Sequence, residues 1–299
     1  MEITVDLPFS LDQLSLLDMH SVLNVLNVVQ YELLQIAEAM AYPSEMDALC
    51  EETAAVAEAL TDHQAAMAHI KAVDDFAAHV LREVTALQIA RGLQEDMHYN
   101  ISVTNLIGIF EILKIRALEI LDRADHPTAW QVHETAKLEE NFTQMLRAIE
   151  RNSKGGYQIV TNLAEHEAGD YLVHFDIKSP NGCTVLMPPI FQDVMRDLLA
   201  NARKYTPPGG VITAGLVDCG EGLRFVVQDT GMGIPEGEQR KVVEFGYRAS
   251  NAASRQTRGG GFGLTKAFYI TKTFGGRMWI DSPVEMGKGT RIEIEIPRP

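Results

Sequence analysis

The chain has 299 residues and a strongly acidic balance, with 41 acidic against 26 basic side chains and a formal net charge of −15. This charge argues against a nucleic-acid binder, which needs clustered lysine and arginine to displace counterions from phosphates. It argues equally against adhesion to anionic lipid. The length predicts two domains, and a hydrophobic content of 46% is enough to fill two cores.

The first half of the chain is helical in character. From about residue 11 to residue 153, apolar residues recur at helical spacing, with breaks at AYPSEMD (41–47) and RADHPTAW (123–130). The tract between these breaks is too long for one ordinary helix, and Gly92 is a place where it can bend or end. We expect about four helices, packed as an antiparallel bundle in a domain of residues 1–154.

Short alternating runs follow SKGGY (153–157). The runs YLVHFDI, VITAGLV, LRFVVQD, RMWIDS and TRIEIEI have the pattern of strands. Helical segments fall between them, at about residues 189–204 and 264–274. This alternation predicts an α/β sandwich over residues 155–299, and it gives the whole chain an α+β fold class.

Cysteine usage and hydropathy favour an intracellular protein. Cys50, Cys183 and Cys219 are odd in number and lack the spacing of metal ligands, so we interpret them as reduced thiols. No apolar run approaches the length that spans a membrane, and the N-terminal stretch MEITVDLPFSLDQ is acidic rather than signal-like. We therefore expect a cytoplasmic protein with no membrane insertion.

The stretch RGGGFGLTKAFYITKTFGG (258–276) sets a run of glycines directly before a helical pattern. Glycine permits positive φ angles and close approach of a ligand to the backbone. A helix N-terminus adds unpaired N–H groups and the positive end of a dipole, so the stretch favours a phosphate site over a flexible surface loop. It matches neither a P-loop nor a dinucleotide-binding fingerprint.

Two further motifs carry polar groups suited to a nucleotide. In FQDVMRDLLANARKYTPPGG, Asp197, Asn201 and Lys204 lie on one stripe of a predicted helix. An amide oxygen there can bind magnesium, and the lysine can neutralise phosphates. In VVQDTGMGIP, Asp229 at a strand end can accept a hydrogen bond from an exocyclic amine such as that of adenine. Taken alone, the first motif is also a solvated helix face and the second an ordinary DTG turn.

In this order and spacing, the motifs resemble those of the ATP-binding domain of sensor histidine kinases, in the superfamily shared with gyrase, Hsp90 and MutL. NARKYTPPGG resembles the N box, DTGMGIP the G1 box, VVEFGYR the F box, and RGGGFGLTKAFYITKTFGG the G2 box. MGKGTRIEIEIP resembles the closing strands, and the resemblance covers about residues 157–299. It implies a magnesium- and ATP-dependent kinase that phosphorylates a histidine and passes the phosphate to the receiver domain of a response regulator.

The resemblance also implies roles for individual residues. Asn201 would coordinate magnesium, Asp229 would bind the adenine amine, and residues 236–258 would form a mobile lid. Asp197 stands where hydrolytic relatives carry a glutamate base, a position at which kinases often lack an acid. The lid arginines that could reach the γ-phosphate are Arg255 and Arg258, and the other predicted nucleotide-binding positions are Lys204, Tyr205, Gly231, Gly233, Gly259, Gly261, Gly263, Leu264 and Thr290.

The family's usual acceptor signature, a histidine followed by an acid, an arginine and a proline, is absent. Two histidines lie instead in similar segments, His20 in DMHSVLNVLN and His98 in DMHYNISVTN, which share five of ten residues. A duplicated helical hairpin would let one chain build the four-helix bundle that relatives build from two. Chance similarity of two amphipathic helices is the alternative. The protein would then be a monomer with an internal pseudo-dimeric bundle, or otherwise a homodimer.

We predict His98 as the phosphate acceptor and His20 as the second candidate. The 103 residues between His98 and Asn201 are similar to the family's spacing, and a second hairpin helix is expected at residues 128–152. Tyr99 stands where relatives carry the acid, so Glu95 or Asp96 would have to orient the imidazole.

Two other functions are compatible with the sequence. The first is an ATP-binding regulatory protein of the same superfamily that has lost autophosphorylation and acts through its helical domain. The second is a serine kinase of the anti-sigma type, against which the large helical region argues.

Overall fold

The computed structural model describes residues 1–41, 44–151, 153, 155–252, 260–283 and 288–299. The chain divides into two compact units, one of Pro8–His126 and one that combines Met1–Leu7 with Pro127–Pro299. The predicted α+β class is confirmed. The sheet unit resumes at residue 127, whereas the sequence predicts a domain boundary at residue 155.

The described part of the helical unit contains six helices rather than the four expected. The additional helices arise because polar side chains cap new helix starts within the long apolar tract. Asp62 accepts the N–H of Ala65 at 2.7 Å, and Asp96 accepts the N–H of Tyr99 at 2.8 Å. The predicted break at Gly92, which has a φ of 67°, is present. The helices are α1 (Leu11–Asp18), α2 (His20–Ala39), α3 (Ser44–Ala59), α4 (His63–Lys71), α5 (Val73–Ala90) and α6 (Met97–Ala124).

The core of the helical unit forms between α2 and the helices around it. Helix α2 packs against α3 and α6, and α6 also packs against α4 and α5. Pro43, at the predicted break between α2 and α3, lies outside the described residues. Buried residues recur every three or four positions along both long helices, so each presents a continuous apolar stripe. On α2 and α6 they include Val22, Leu26, Val29, Leu33, Ile36, Leu106, Phe110, Leu113, Ala117 and Ile120.

The described residues of the second unit form a six-stranded sheet of order β2-β3-β5-β6-β8-β7, in which the β2–β3 and β3–β5 pairs are parallel and the other pairs antiparallel. A separate antiparallel pair joins β1 to β4. The strands are β1 (Gln131–Glu134), β2 (Ile159–Val160), β3 (Tyr171–Lys178), β4 (Thr184–Met187), β5 (Val211–Asp218), β6 (Gly222–Asp229), β7 (Arg277–Asp281) and β8 (Thr290–Pro297), and the helices are α7 (Thr135–Arg151), α8 (Ile190–Tyr205) and α9 (Gly263–Thr273).

The helix expected at residues 128–152 is present as α7 over Thr135–Arg151, but it begins later than predicted. Residues 131–134 form β1, which pairs with β4 through partners such as Gln131 and Met187. Helix α7 follows, and its Leu138, Phe142 and Leu146 are buried in the core of the sheet unit. This segment therefore belongs to the sheet unit, and that packing moves the boundary.

The first residues of the chain complete the same sheet unit. The N–H of Ile3 donates to the carbonyl of Met278 at 2.9 Å, and the side chain of Ile3 is fully buried. Arg277 donates two hydrogen bonds to the Glu2 carboxylate, at 2.9 and 2.8 Å. These contacts cover the edge of β7, which would otherwise expose unpaired backbone groups. In sequence, the helical unit is thus an insertion between two parts of the sheet unit.

Within the part of the chain that the structure describes, none of the helices has both the length and the apolar character to cross a bilayer.

Candidate functional site

Asp229 is the last residue of β6, and its carboxylate is buried at the end of the strand. The N–H of Gly231 donates to Asp229 Oδ1 at 2.8 Å. Burial raises the pKa of Asp229 to about 6, while hydrogen bonds from the backbone of Gly231 and Thr290 act in the opposite direction. The group is therefore mostly ionised at pH 7, which makes it a strong hydrogen-bond acceptor.

The turn after β6 packs tightly against the end of α8. The N–H of Met232 donates to the carbonyl of Tyr205 at 3.2 Å. A Cβ on Gly231 would lie 2.5 Å from that carbonyl oxygen and 2.8 Å from Asp229 Oδ1, so only glycine fits there. Gly233 adopts a φ of 73°. The structure thus brings Tyr205, Asp229, Gly231 and Gly233 together, as the sequence predicts.

Thr290 also lies at this place, because the register of β8 sets it opposite Asp229. Its side chain is buried, and its Oγ1 lies 3.4 Å from the Oγ of Ser282. Ser282 Oγ also donates to the carbonyl of Gly289 at 2.8 Å and accepts the N–H of Ile234 at 2.7 Å. Ser282 thereby ties the turn after β6 to the start of β8.

Helices α8 and α9 meet at two of the predicted residues. A Cβ on Gly263, the first residue of α9, would lie 2.9 Å from Asn201 Nδ2 and 3.6 Å from Asp197 Cβ. The absent side chain therefore lets the N-terminus of α9 approach the Asn201 amide. Unpaired N–H groups at a helix start and an amide oxygen are suited to a phosphate and its magnesium ion. Leu264 is half-buried against the core, and Gly261 has a φ of 80°.

Lys204, in the last turn of α8, lies near the charges of two arginines. Burial lowers the pKa of Lys204 to about 8, with further lowering by the charges of Arg248 and Arg203. Lys204 remains largely protonated at pH 7, and its Nζ lies 5.3 Å from the centre of the Tyr205 ring. Arg248 was not among the predicted site residues. Arg248 could have been predicted from the sequence, because it is the last residue of VVEFGYR, the segment that resembles the F box.

The described start of the predicted lid is folded against the site. It contains short 3-10 helices at Glu236–Glu238, Lys241–Val243 and Ser250–Ala252. The Glu238 carboxylate accepts the Tyr247 hydroxyl at 2.9 Å and the N–H of Ser250 at 2.7 Å. Asn251 Nδ2 donates to the carbonyl of Gly233 at 2.9 Å. Arg255, Arg258 and Gly259, which the sequence also nominated, lie outside the described residues.

The two nominated histidines both stand at the start of a long helix but differ in burial. His98 is exposed on the first turn of α6. His20 begins α2 and is 5% exposed, with its Nε2 3.2 Å from Asn24 Nδ2. Of the two imidazoles, only that of His98 is open to an incoming phosphate donor in this structure.

Asp96 and Tyr99, which lie beside His98, both stabilise the fold. Asp96 caps α6 by accepting the N–H of Tyr99, so its carboxylate is engaged. Tyr99 is fully buried, and its hydroxyl donates to the carbonyl of Val84 at 2.8 Å. The residue that follows His98 therefore faces the core, and of the two acids predicted to orient the His98 ring, Glu95 is exposed and Asp96 caps the helix.

His79 on α5 lies close to two carboxylates, the kind of neighbour that the sequence predicts for His98. Its Nε2 lies 3.2 Å from Glu52 Oε2, and its Nδ1 lies 3.9 Å from Glu83 Oε1 and 3.2 Å from Arg82 Nη2. Glu83, four residues after His79 on the same helix face, was visible in the sequence. Glu52 comes from α3, so no local pattern could have indicated it.

Comparisons with known proteins agree with the geometry of the sheet unit. Residues 187–299 match the family model described as histidine kinase-, DNA gyrase B-, and HSP90-like ATPase. The sensor histidine kinase Hik2 of Thermosynechococcus vestitus is 38% identical over 117 residues, which cover 37% of this chain and 30% of that protein. The sensor histidine kinase WalK of Bacillus subtilis is 39% identical over 106 residues, which cover 35% of this chain and 17% of that protein.

A solved structure of the mycobacterial sensor histidine kinase MprB is also similar, with 23% identity and a TM-score of 0.40 over 56% of this chain and 99% of that one. The curated relatives are matched over less than a third of their own length. The matched part contains α8, the turn after β6 and the start of α9. The similarity to the family of histidine kinase-, DNA gyrase B-, and HSP90-like ATPases therefore covers residues 187–299, the part of the chain that holds the candidate site.

Proposed function

We propose that this chain is an ATP-dependent protein histidine kinase of two-component signalling. The sheet unit would bind Mg·ATP, a histidine of the helical unit would take the γ-phosphate, and an aspartate in a response-regulator receiver domain would receive it. One observation carries the proposal: the buried Asp229 carboxylate and the Asn201–Gly263 contact lie in one unit. That unit's curated relatives are named sensor histidine kinases.

In the proposed complex, Asp229 accepts a hydrogen bond from the adenine amine, and the turn at Gly231 lies beneath the base. The N-terminal N–H groups of α9 face the phosphates. Lys204 and Arg248 supply the positive charge that the polyphosphate requires. Tyr205, Gly233, Gly261, Leu264 and Thr290 shape the walls of the site, and Arg258 and Gly259 are proposed to close it.

Magnesium would enter with the nucleotide. Mg²⁺ keeps several waters and typically takes only one or two protein ligands together with substrate phosphates. The Asn201 amide oxygen fits that requirement. Among the residues described, no group of three or more histidine, cysteine and acidic side chains could hold a metal ion independently. Asp197, beside Asn201, is proposed to orient a magnesium-bound water or the attacking group.

The proposed reaction is an in-line displacement. A neutral imidazole nitrogen attacks the γ-phosphorus, an N–P bond forms, and the bond to the bridging oxygen of ADP breaks. The proton on the ring leaves to solvent or to a nearby carboxylate. The first candidate acceptor is His98, which is exposed, whereas His20 is buried. The second is His79, which the Glu52 and Glu83 carboxylates favour.

The proposed reaction implies a partner protein and a cellular location, and the helical core bears on the state of assembly. The partner is a receiver domain, and the location is the cytoplasm, where ATP and response regulators meet. We propose a monomer, because the helical unit closes its own core within one chain. A homodimer is the alternative, which the exposed apolar side chains of α6 favour. Among these, Met97 is 69% and Leu118 is 64% exposed.

A second function, ATP-dependent regulation without autophosphorylation, is favoured by one observation. The residue after His98 is a buried tyrosine and the one before the helix is a capping aspartate, so neither replaces the missing acid. In that case the sheet unit would bind Mg·ATP, and the helical unit would act as an interaction module.

Incubation of the purified chain with γ-labelled ATP and magnesium separates these functions. The kinase proposal predicts protein-bound label that acid removes and base does not. Asp229→Asn serves as the control with weakened nucleotide binding. Label that survives acid indicates a serine kinase instead. Wild-type protein that binds Mg·ATP but never becomes labelled indicates the regulatory protein.

A further inference from the structure

A buried ion pair joins the two helices that carry the proposed phosphate end of the site. Lys266 on α9 is 0% exposed and Asp193 on α8 is 1% exposed, and Lys266 Nζ lies 3.1 Å from Asp193 Oδ2. Arg196 also forms an ion pair with Asp193, through Oδ1. Lysine and aspartate are rarely buried to this extent, and they are tolerated only when paired.

Stability alone does not explain this pair. Removal of two charges from water costs free energy that their mutual attraction often does not recover, and apolar residues of similar volume stabilise a core equally well or better. The cost is large, however, when only one partner is missing or displaced. A buried pair therefore fixes position: α9 cannot slide along α8 without separating the two charges.

The pair lies on the same helix faces as the proposed site. Asp193, Asp197 and Asn201 are spaced four residues apart on α8, and Lys266 follows Gly263 by three residues on α9. Helices α8 and α9 therefore contact each other at two places along their length. One is the Asn201–Gly263 contact, where a Cβ would come within 2.9 Å of the amide nitrogen, and the other is the ion pair. A shift of α9 at the ion pair would move its N-terminus relative to the Asn201 amide.

We propose that Asp193 and Lys266 are positioning residues for the nucleotide's phosphates, an inference that rests on the proposed Mg·ATP site. They hold the first turn of α9 in register with Asn201, so that the helix N–H groups and the amide oxygen engage one polyphosphate and its magnesium ion. Neither side chain touches the nucleotide. The adenine end, at Asp229, does not depend on them.

The test uses the full chain with the double substitution Asp193→Leu and Lys266→Met, which replaces the pair by apolar groups and leaves no buried charge of the pair unpartnered. Arg196 is 12% exposed and loses the same ion-pair partner, so a variant that also carries Arg196→Met is measured beside the double variant. Titration calorimetry would give the affinity for Mg·ATP, which uses both ends of the site, and for adenosine, which uses the adenine end alone. Lys272→Met, which removes an exposed lysine from the same helix, is the matched control.

We expect the double variant to fold and to bind adenosine as the wild type does. Its Mg·ATP affinity should fall about tenfold, equivalent to about 1.4 kcal/mol. The Lys272→Met variant should keep both affinities. An unchanged ratio of Mg·ATP to adenosine affinity overturns the proposal. So does a double variant that does not fold, because the pair would then be needed for the fold itself. Wild-type protein that binds neither ligand overturns the proposed function as well.

Discussion

At the scale of single residues, Asp229 shows how a binding group is maintained at the expense of stability. The carboxylate has an ordinary pKa of 3.8 and a pKa of about 6 in the folded protein, because it is buried. The native state therefore binds more protons than the unfolded chain between these pH values, and stability falls as the pH rises through that window. Above pH 6 the cost is complete, on the order of 3 kcal/mol.

Substitution of this residue should separate stability from binding. Asp229→Asn removes the buried charge, so the free energy of unfolding at pH 7 should rise by up to about 3 kcal/mol, with little change below pH 4. Urea titrations of both proteins at the two pH values measure this difference. A variant less stable than wild type at pH 7 would show that the carboxylate contributes contacts worth more than its desolvation.

The same variant should bind adenine nucleotides about ten- to a hundredfold more weakly, since a charge-assisted hydrogen bond contributes about 1.5–3 kcal/mol. In the wild type, affinity should fall as the pH drops through 6, where Asp229 becomes protonated. Calorimetry between pH 5 and pH 8 measures both effects. If the folded Asp229→Asn protein keeps its affinity for adenine nucleotides, the proposal that Asp229 binds the adenine amine is wrong.

At the scale of secondary-structure elements, the proposed phosphate end depends on close approach between α8 and α9. Gly263 permits that approach, since any Cβ there would meet Asn201. Gly108 on α6 provides the contrast: it is exposed, and a Cβ there would find no atom within 4 Å. Both glycines lie in helices, so substitution of each by alanine compares a crowded position with an open one.

Gly263→Ala should lower Mg·ATP affinity by at least about tenfold, because the new methyl group displaces the Asn201 amide or the start of α9. Gly108→Ala should leave affinity unchanged and raise the free energy of unfolding by about 0.5–1 kcal/mol, since alanine loses less entropy in a helix. Equal Mg·ATP affinity in the two variants would argue against the Asn201–Gly263 contact as a phosphate site.

Local motifs predicted more of the site than of the fold. Asp229, Asn201 and Gly263 could be predicted as candidates because each belongs to a short stretch whose spacing sets its own turn or helix start. Strand β1 was missed because QVHE acquires its partner from residues 184–187, about fifty positions later. The contact between the N-terminus and β7, at Ile3 and Met278, joins residues that are even farther apart in the sequence. Contacts of this kind leave no periodicity in the sequence.

At the scale of the whole molecule, the helical unit is inserted in sequence between two parts of the sheet unit. The insertion has a core of its own, built from all of α2 to α6. A bundle that closes within one chain does not require a second copy. We therefore expect a monomer in sedimentation experiments, with a molecular mass near 33.1 kDa over a wide concentration range.

A concentration-independent dimer would contradict that expectation without excluding kinase activity. In that case Ile101→Lys, on the exposed apolar face of α6, should convert the dimer to monomers. Lys71→Ala, at an exposed position on α4, is the matched control and should leave the assembly unchanged.

Identification of the labelled residue after incubation with γ-labelled ATP and magnesium tests the central claim most directly. The account predicts acid-labile, base-stable phosphate on one histidine of the helical unit. The label should be lost in His98→Gln, or in His79→Gln if the Glu52 and Glu83 carboxylates select that ring, and it should persist in His20→Gln. Nucleotide affinity should be unchanged in all three variants, because the site lies in the other unit. Phosphate on a serine or threonine, or no label in protein that binds Mg·ATP, would contradict the account.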